Sequence, residues 1–164
     1  MKTLLTLILL SFLITPVLRA EDIAQALIVE APEPWEVKYK GKKNLQFYTV
    51  TRRDGAKHVL MFSKWPAAGN IDQIPDLVKQ LAERFLATAE KNEKIKLKSK
   101  EYEIEKITGD EFSGSFVSFS QEDGSVQTLF MIGDKEGIWN GQFSGSPENW
   151  TEAVTVLQTL KKKG

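Results

Sequence analysis

Hydrophobic and polar positions alternate cleanly in "PEPWEVKY". Trp35, Val37 and Tyr39 fall on one side, and Glu36 and Lys38 on the other. That period of two is the mark of a half-buried strand. The segment 40–44, "KGKKN", reads as a turn, and Leu45–Arg52 as a second strand. Asp54-Gly55 is a strong hairpin signal. The return strand, "KHVLMFSKW", is apolar on both faces, which predicts a central position.

The period then changes. Over Asp72–Lys91, Ile74, Leu77, Val78, Leu81 and Phe85 recur at helical spacing. Pro75 sits in the first turn, where its missing N–H costs little. Asp72 is the expected cap, and Lys91 suits the negative end. In "IKLKSKEYEIEKI" (95–107) the strand phase breaks: Ile95 and Leu97 are odd, Tyr102 and Ile104 even. A bulge or turn is expected near Ser99–Lys100. Glu111–Gln121, Ser125–Ile132 and Gly137–Ser144 read as three more strands, joined by Asp123-Gly124 and "GDKEG".

"FSGS" occurs twice, at 112–115 and 143–146. The first copy lies within a strand. The second closes a strand and opens a helix, with Ser146 as N-cap and Pro147 as first helical residue. The flanking patterns differ, so this is no internal repeat. Gly114 and Gly141 each lie between same-face aromatics, which predicts a packing group over them or a bend. In the final helix Trp150, Ala153, Val154, Leu157 and Leu160 form the apolar stripe, and Lys161–Lys163 are expected at the negative end of its dipole. Helices separate from antiparallel hairpins mean α+β: an antiparallel β-sheet of six to seven strands packed by two α-helices.

The first twenty residues differ in kind. Lys2, an apolar run from Leu4 to Leu13, Pro16 and Ala20 have the layout of a secretory signal peptide. The run is short of the ~20 residues that span a bilayer. The expected organisation is a signal peptide over 1–20 and one α+β domain over 21–164, secreted or periplasmic, non-lipidated and without a membrane span after cleavage. Taking away Lys2 and Arg19 leaves 20 basic against 22 acidic residues. That balance argues against nucleic acid as a partner. With no cysteine the chain has no disulfides, so its core must hold it together.

The order and spacing of these features resemble the PsbP-like superfold. That group includes an extrinsic photosystem subunit, a yeast Ran-binding import factor and many small exported bacterial proteins. The features that carry the resemblance are "PEPWEVKY", the Asp54-Gly55 hairpin, the long helix after "KWPAAGN", the meander over 109–144 and the finish "WNGQFSGSPENW". They span about residues 30–162. The resemblance implies a mostly non-catalytic domain that binds partners. It carries over no Ran-binding or manganese-binding residue.

Chemistry is sparse. No serine stands in Gly-x-Ser-x-Gly. The one histidine, His58, would need Ser113, Ser115, Ser144 or Ser146 beside it to act in a serine hydrolase. One His and no Cys argue against a zinc site, and no phosphate-binding loop occurs, so neither metal nor cofactor is expected. The calcium candidates are Glu101, Glu103 and Glu105, or Asp110 with Glu111; the first three alternate along one strand face, and a solvated face looks the same. Lys94, Lys96, Lys98 and Lys100 form a ladder, suited either to an anionic surface or to guarding a sheet edge. Trp65, at a strand exit, is the aromatic best placed for an interface, and Trp139 is a second. The expected binding residues are therefore Trp65, Trp139, Lys96 and Lys98. The leading function is an exported binding or interaction domain for an envelope or secreted protein. The alternatives are a carrier of a small apolar ligand, in a pocket lined by some of Phe47, Phe62, Phe85, Phe116 and Phe130, and a serine hydrolase using His58.

Overall fold

A computed structural model describes residues 27–29, 33, 35–42, 45–52, 59–64, 70–135 and 137–162. Nine strands are described: β1 (Leu27–Val29), β2 (Trp35–Lys42), β3 (Leu45–Arg52), β4 (Val59–Lys64), β5 (Glu105–Thr108), β6 (Ser113–Ser120), β7 (Val126–Asp134), β8 (Gly137–Gly145) and β9 (Leu160–Lys162). Two α-helices accompany them: α1 (Ile74–Lys91) and α2 (Pro147–Gln158). β2 to β8 form one sheet in the order β2-β3-β4-β8-β7-β6-β5, and β1 pairs with β9 in a separate ribbon. Every pairing is antiparallel. The class is α+β.

Alternation along the strands decides which helix goes where. Residues directly opposite each other across an antiparallel ladder share a face. Phe116 stands opposite Phe130, and Ile132 opposite Trp139. These four pack with Phe143 and with Trp150, Ala153, Val156 and Leu157 of α2. The intervening positions Val117, Phe119, Leu129, Met131 and Ile138 pack instead with Ile74, Val78, Ala82 and Phe85 of α1. The two helices therefore lie on opposite faces of the sheet. β7 is buried along nearly its whole length because both of its faces are covered. β4, apolar on both faces in sequence, lies between β3 and β8.

The helix starts show how local chemistry sets the boundaries. Ahead of α1 a 3-10 turn, Ile71–Gln73, is capped by Asn70, whose Oδ1 accepts from the Asp72 N–H at 3.2 Å. Asn70 thus takes the capping role expected of Asp72. Ser146 caps α2, its Oγ accepting from the Asn149 N–H at 3.3 Å and from Asn149 Nδ2 at 2.8 Å. At its other end α2 stops at Gln158 with no basic residue in its last turn. Lys161 and Lys162 belong to β9, opposite Ile28 and Leu27, so dipole compensation does not explain them. Leu160 opens β9 and is fully buried. Val156 takes a core position, while Val154 is half-buried.

The phase break at 95–107 is real but differs in form. Ile95, Leu97 and Tyr102 all pack on the α1 side, and Ile107 lies in the other cluster. The lysine segment is no regular edge strand. Leu97 makes one isolated bridge to Gln121, flanked by Lys98 N–H to Ser120 O and Glu122 N–H to Lys96 O, each at 2.9 Å.

The two glycines of interest behave differently. A Cβ on Gly114 would collide with the Met131 carbonyl oxygen of β7 and meet Ile132 Cα at 2.9 Å. The close neighbour is the adjacent strand's backbone, where an aromatic or helical cover was expected. Gly141 stands opposite Phe130, whose ring lies against Trp150 of α2. Gly124, at φ 85°, supplies the left-handed residue of the Asp123-Gly124 turn.

Candidate binding surface

α1 covers β6 and β7. The same face continues past it onto β8, β4 and β3, and there the residue type changes. Met131 of β7 stands opposite Asn140 of β8, which stands opposite Ser63 of β4. In the next rows Leu129 stands opposite Gln142, and Gln127 opposite Ser144. Thr49 and Thr51 of β3 continue these rows through Met61 and Val59. Six hydroxyl or amide residues thus share this face beside α1 as a polar shelf, with Met61 and Val59 of β4 standing between those of β3 and β8 in two of its three rows. Thr51, Ser63, Gln142 and Ser144 are half-exposed, while Thr49 and Asn140 are buried. Ser63 Oγ donates to Asn140 Oδ1 at 3.2 Å and holds that amide in place. Glu36 of β2, opposite Thr51, brings a carboxylate to the outer side.

The opposite face is aromatic. Trp150 of α2 lies against Phe116, Phe130 and Phe143 with ring centroids 5.1, 5.9 and 5.4 Å apart. Among the described residues its indole N–H is buried without a hydrogen-bond partner. Trp139 is 4% exposed and meets Phe112 edge-on at 5.2 Å, so its ring is committed to the core. Phe85 lies on the α1 side and Phe116 and Phe130 on the α2 side. No single pocket holds those three.

Of the expected binding residues, Trp65 lies outside the described residues, one place beyond the end of β4. Lys96 and Lys98 are exposed, but acids surround them. Lys96 Nζ is 4.0 Å from Glu122, and Lys100 Nζ donates to Glu90 at 2.7 Å. The Asp123 carboxyl is held below the usual carboxylate range, chiefly by the Ser125 hydroxyl and N–H, with a small contribution from Lys98. Opposed charges this close cancel much of the field that an anionic surface would sense.

Of the four candidate serines, Ser146 is placed for structure. Ser115 is buried on the α1 side of β6, and Ser113 is exposed. The Glu148 carboxyl is held low, first by its own backbone N–H and then by the Ser146 hydroxyl. That commits Ser146 to the helix start. Ser144 lies on the polar shelf. His58 lies outside the described residues. Residue types gave no signal for the shelf, because its members lie on three strands far apart in sequence and meet only through the register.

No family model matches the chain, and no curated protein matches it. Among solved structures it is similar to LpqN of Mycobacterium tuberculosis, described as involved in cell envelope biogenesis. The two are 14% identical over 92% of this chain and 90% of that one, with a TM-score of 0.43. A likeness of that degree reaches neither family nor function.

Proposed function

We propose that the chain is an exported, non-catalytic binding domain whose partner is a protein of the envelope or the secreted fraction, and that it is a distant relative of the PsbP-like superfold. The observation that carries this reading is the polar set beside α1, of which Thr51, Ser63, Gln142 and Ser144 reach the surface while Thr49 and Asn140 lie beneath it. Uncharged hydroxyls and amides cost far less to desolvate than charges do. Reversible protein interfaces are built with about ten hydrogen bonds each. Trp65, the residue after β4 in sequence, is the aromatic that this reading calls on as an anchor. Export rests on the leader layout of residues 1–20.

The test is a pull-down from the native envelope with residues 21–164, run beside Gln142→Ala/Ser144→Ala and Trp65→Ala. The expected result is a defined partner held by the parent chain and lost from the variants, whose melts stay unchanged. Equal capture by all three would sink the shelf as the interface. Intact mass of the exported protein checks the leader: it should begin at or near Glu21 and need no detergent.

One observation favours a second reading, the carrier of a small apolar ligand. Among the described residues the buried Trp150 indole N–H is a donor without an acceptor, and such groups call for an explanation. A ligand carbonyl would satisfy it. Trp150→Phe should then abolish binding of an acyl-ester probe that the parent chain binds; a parent chain that binds no such probe removes this reading.

A further inference from the structure

Five asparagines occur in the chain, and one of them, Asn140, is followed by glycine. Asn-Gly is the dipeptide most prone to spontaneous deamidation, because glycine has no side chain on the α-carbon beside the attacking nitrogen to hinder its approach to the neighbouring amide. Such pairs are harmless in an exposed turn. Here the pair stands in the middle of β8, between β7 and β4, with Met131 and Ser63 opposite Asn140 and Phe130 and Phe62 opposite Gly141.

We infer that Asn140-Gly141 is a conformation-gated modification site, closed while the sheet is formed and reactive whenever it opens. In the reaction the Gly141 backbone nitrogen bonds to the Asn140 side-chain carbonyl carbon and ammonia leaves. One water then opens the resulting succinimide to aspartate or isoaspartate. Three features of the folded state block the first step. A strand with neighbours on both sides keeps its N–H groups in the ladder. Extended backbone holds the Gly141 nitrogen away from the side-chain carbon. Asn140 is 8% exposed, and its Oδ1 accepts from Ser63.

Once made, the product opposes refolding. Aspartate puts a carboxylate where a buried neutral amide stood, and burying a charge is far more costly. Isoaspartate adds a methylene to the main chain of β8, so its pairs with β4 and β7 beyond position 140 no longer match. Each opening of the sheet therefore carries a chance of permanent loss. The usable lifetime of the protein is set by how often β8 is released, which is kinetic stability written into one dipeptide.

The experiment incubates the full chain at mildly alkaline pH, in buffer and in guanidinium chloride, and maps residue 140 by the mass gain of amide-to-acid conversion. Only the open fraction reacts, so the folded rate should be lower by roughly 10³-fold or more. Gly114→Val, which crowds β7 and leaves Asn140 alone, should raise the rate in buffer; if that variant does not fold, Ser146→Ala serves as the milder case. Asn140→Asp should melt well below the parent. Folded and denatured rates within a few-fold of each other would overturn the gating, as would a rate indifferent to destabilisation. An Asn140→Asp variant as stable as the parent would overturn the trap.

Discussion

A single atom group often decides what a position tolerates. Gly114 is glycine because the β7 backbone occupies the space of a Cβ. Gly114→Val should destabilise by roughly 1–3 kcal/mol in denaturant melts. Ser146→Ala removes the cap of α2 and should cost about 1 kcal/mol, whereas Ser113→Ala, at an exposed position, should cost little. Trp150 is the instructive contrast. Its ring fills the space among Phe116, Phe130 and Phe143, yet among the described residues its N–H has no acceptor there. Trp150→Ala should cost about 3–5 kcal/mol as a large cavity. Trp150→Phe keeps an aromatic and deletes the orphan donor, so its cost should be clearly smaller. If the two substitutions melt alike, the N–H is satisfied after all, for example on a phenyl face.

Among whole elements, two helix ends and one strand turn hold carboxyls below the usual carboxylate range. The Glu148 carboxyl at the start of α2 is held low by its own N–H and by Ser146. Glu90, in the last turn of α1, is held low first by its hydrogen bond from Lys100 and then by the charge of that residue. Asp123 in the β6–β7 turn is held low by Ser125. A depressed carboxylate contributes stability that is present above its unfolded pKa and lost as pH falls through its folded one. Denaturant midpoints should therefore fall from about pH 6 to about pH 3, and Glu148→Gln should remove part of that slope. All three groups are exposed, so the effect is modest, and salt should weaken the Glu90–Lys100 part. The β1–β9 ribbon makes a separate claim. Leu160 is fully buried just beyond α2, in the cluster that holds Trp35. Leu160→Ala should cost about 2–5 kcal/mol, a penalty foreign to a frayed terminus.

Taken whole, the molecule is held by two apolar layers on either side of one sheet, and the chain has no cysteine. Among the described residues, no three His, Cys, Asp or Glu side chains gather as a metal site would need. The melting temperature should be the same with and without EDTA or reductant; a large fall with EDTA would redirect attention to the carboxylates at 101–111. Much of this architecture was legible in the residues. The strand from Trp35, the helix ending at Lys91, the Ser146–Pro147 helix start and the Asp123-Gly124 turn all follow from local periods and local backbone preference, which act over a few neighbours. Other features depend on partners distant in sequence. Asn70 displaced Asp72 as cap because a 3-10 turn precedes α1. Lys161 and Lys162 left the helix because β9 found β1, more than a hundred residues away. Trp139 and Phe112 met in the core, and the polar shelf was assembled from β3, β4 and β8. Hydrophobic period determined which residues seek a face. Only strand order and register, which depend on contacts closed across the whole chain, decided which face it is and what stands beside them.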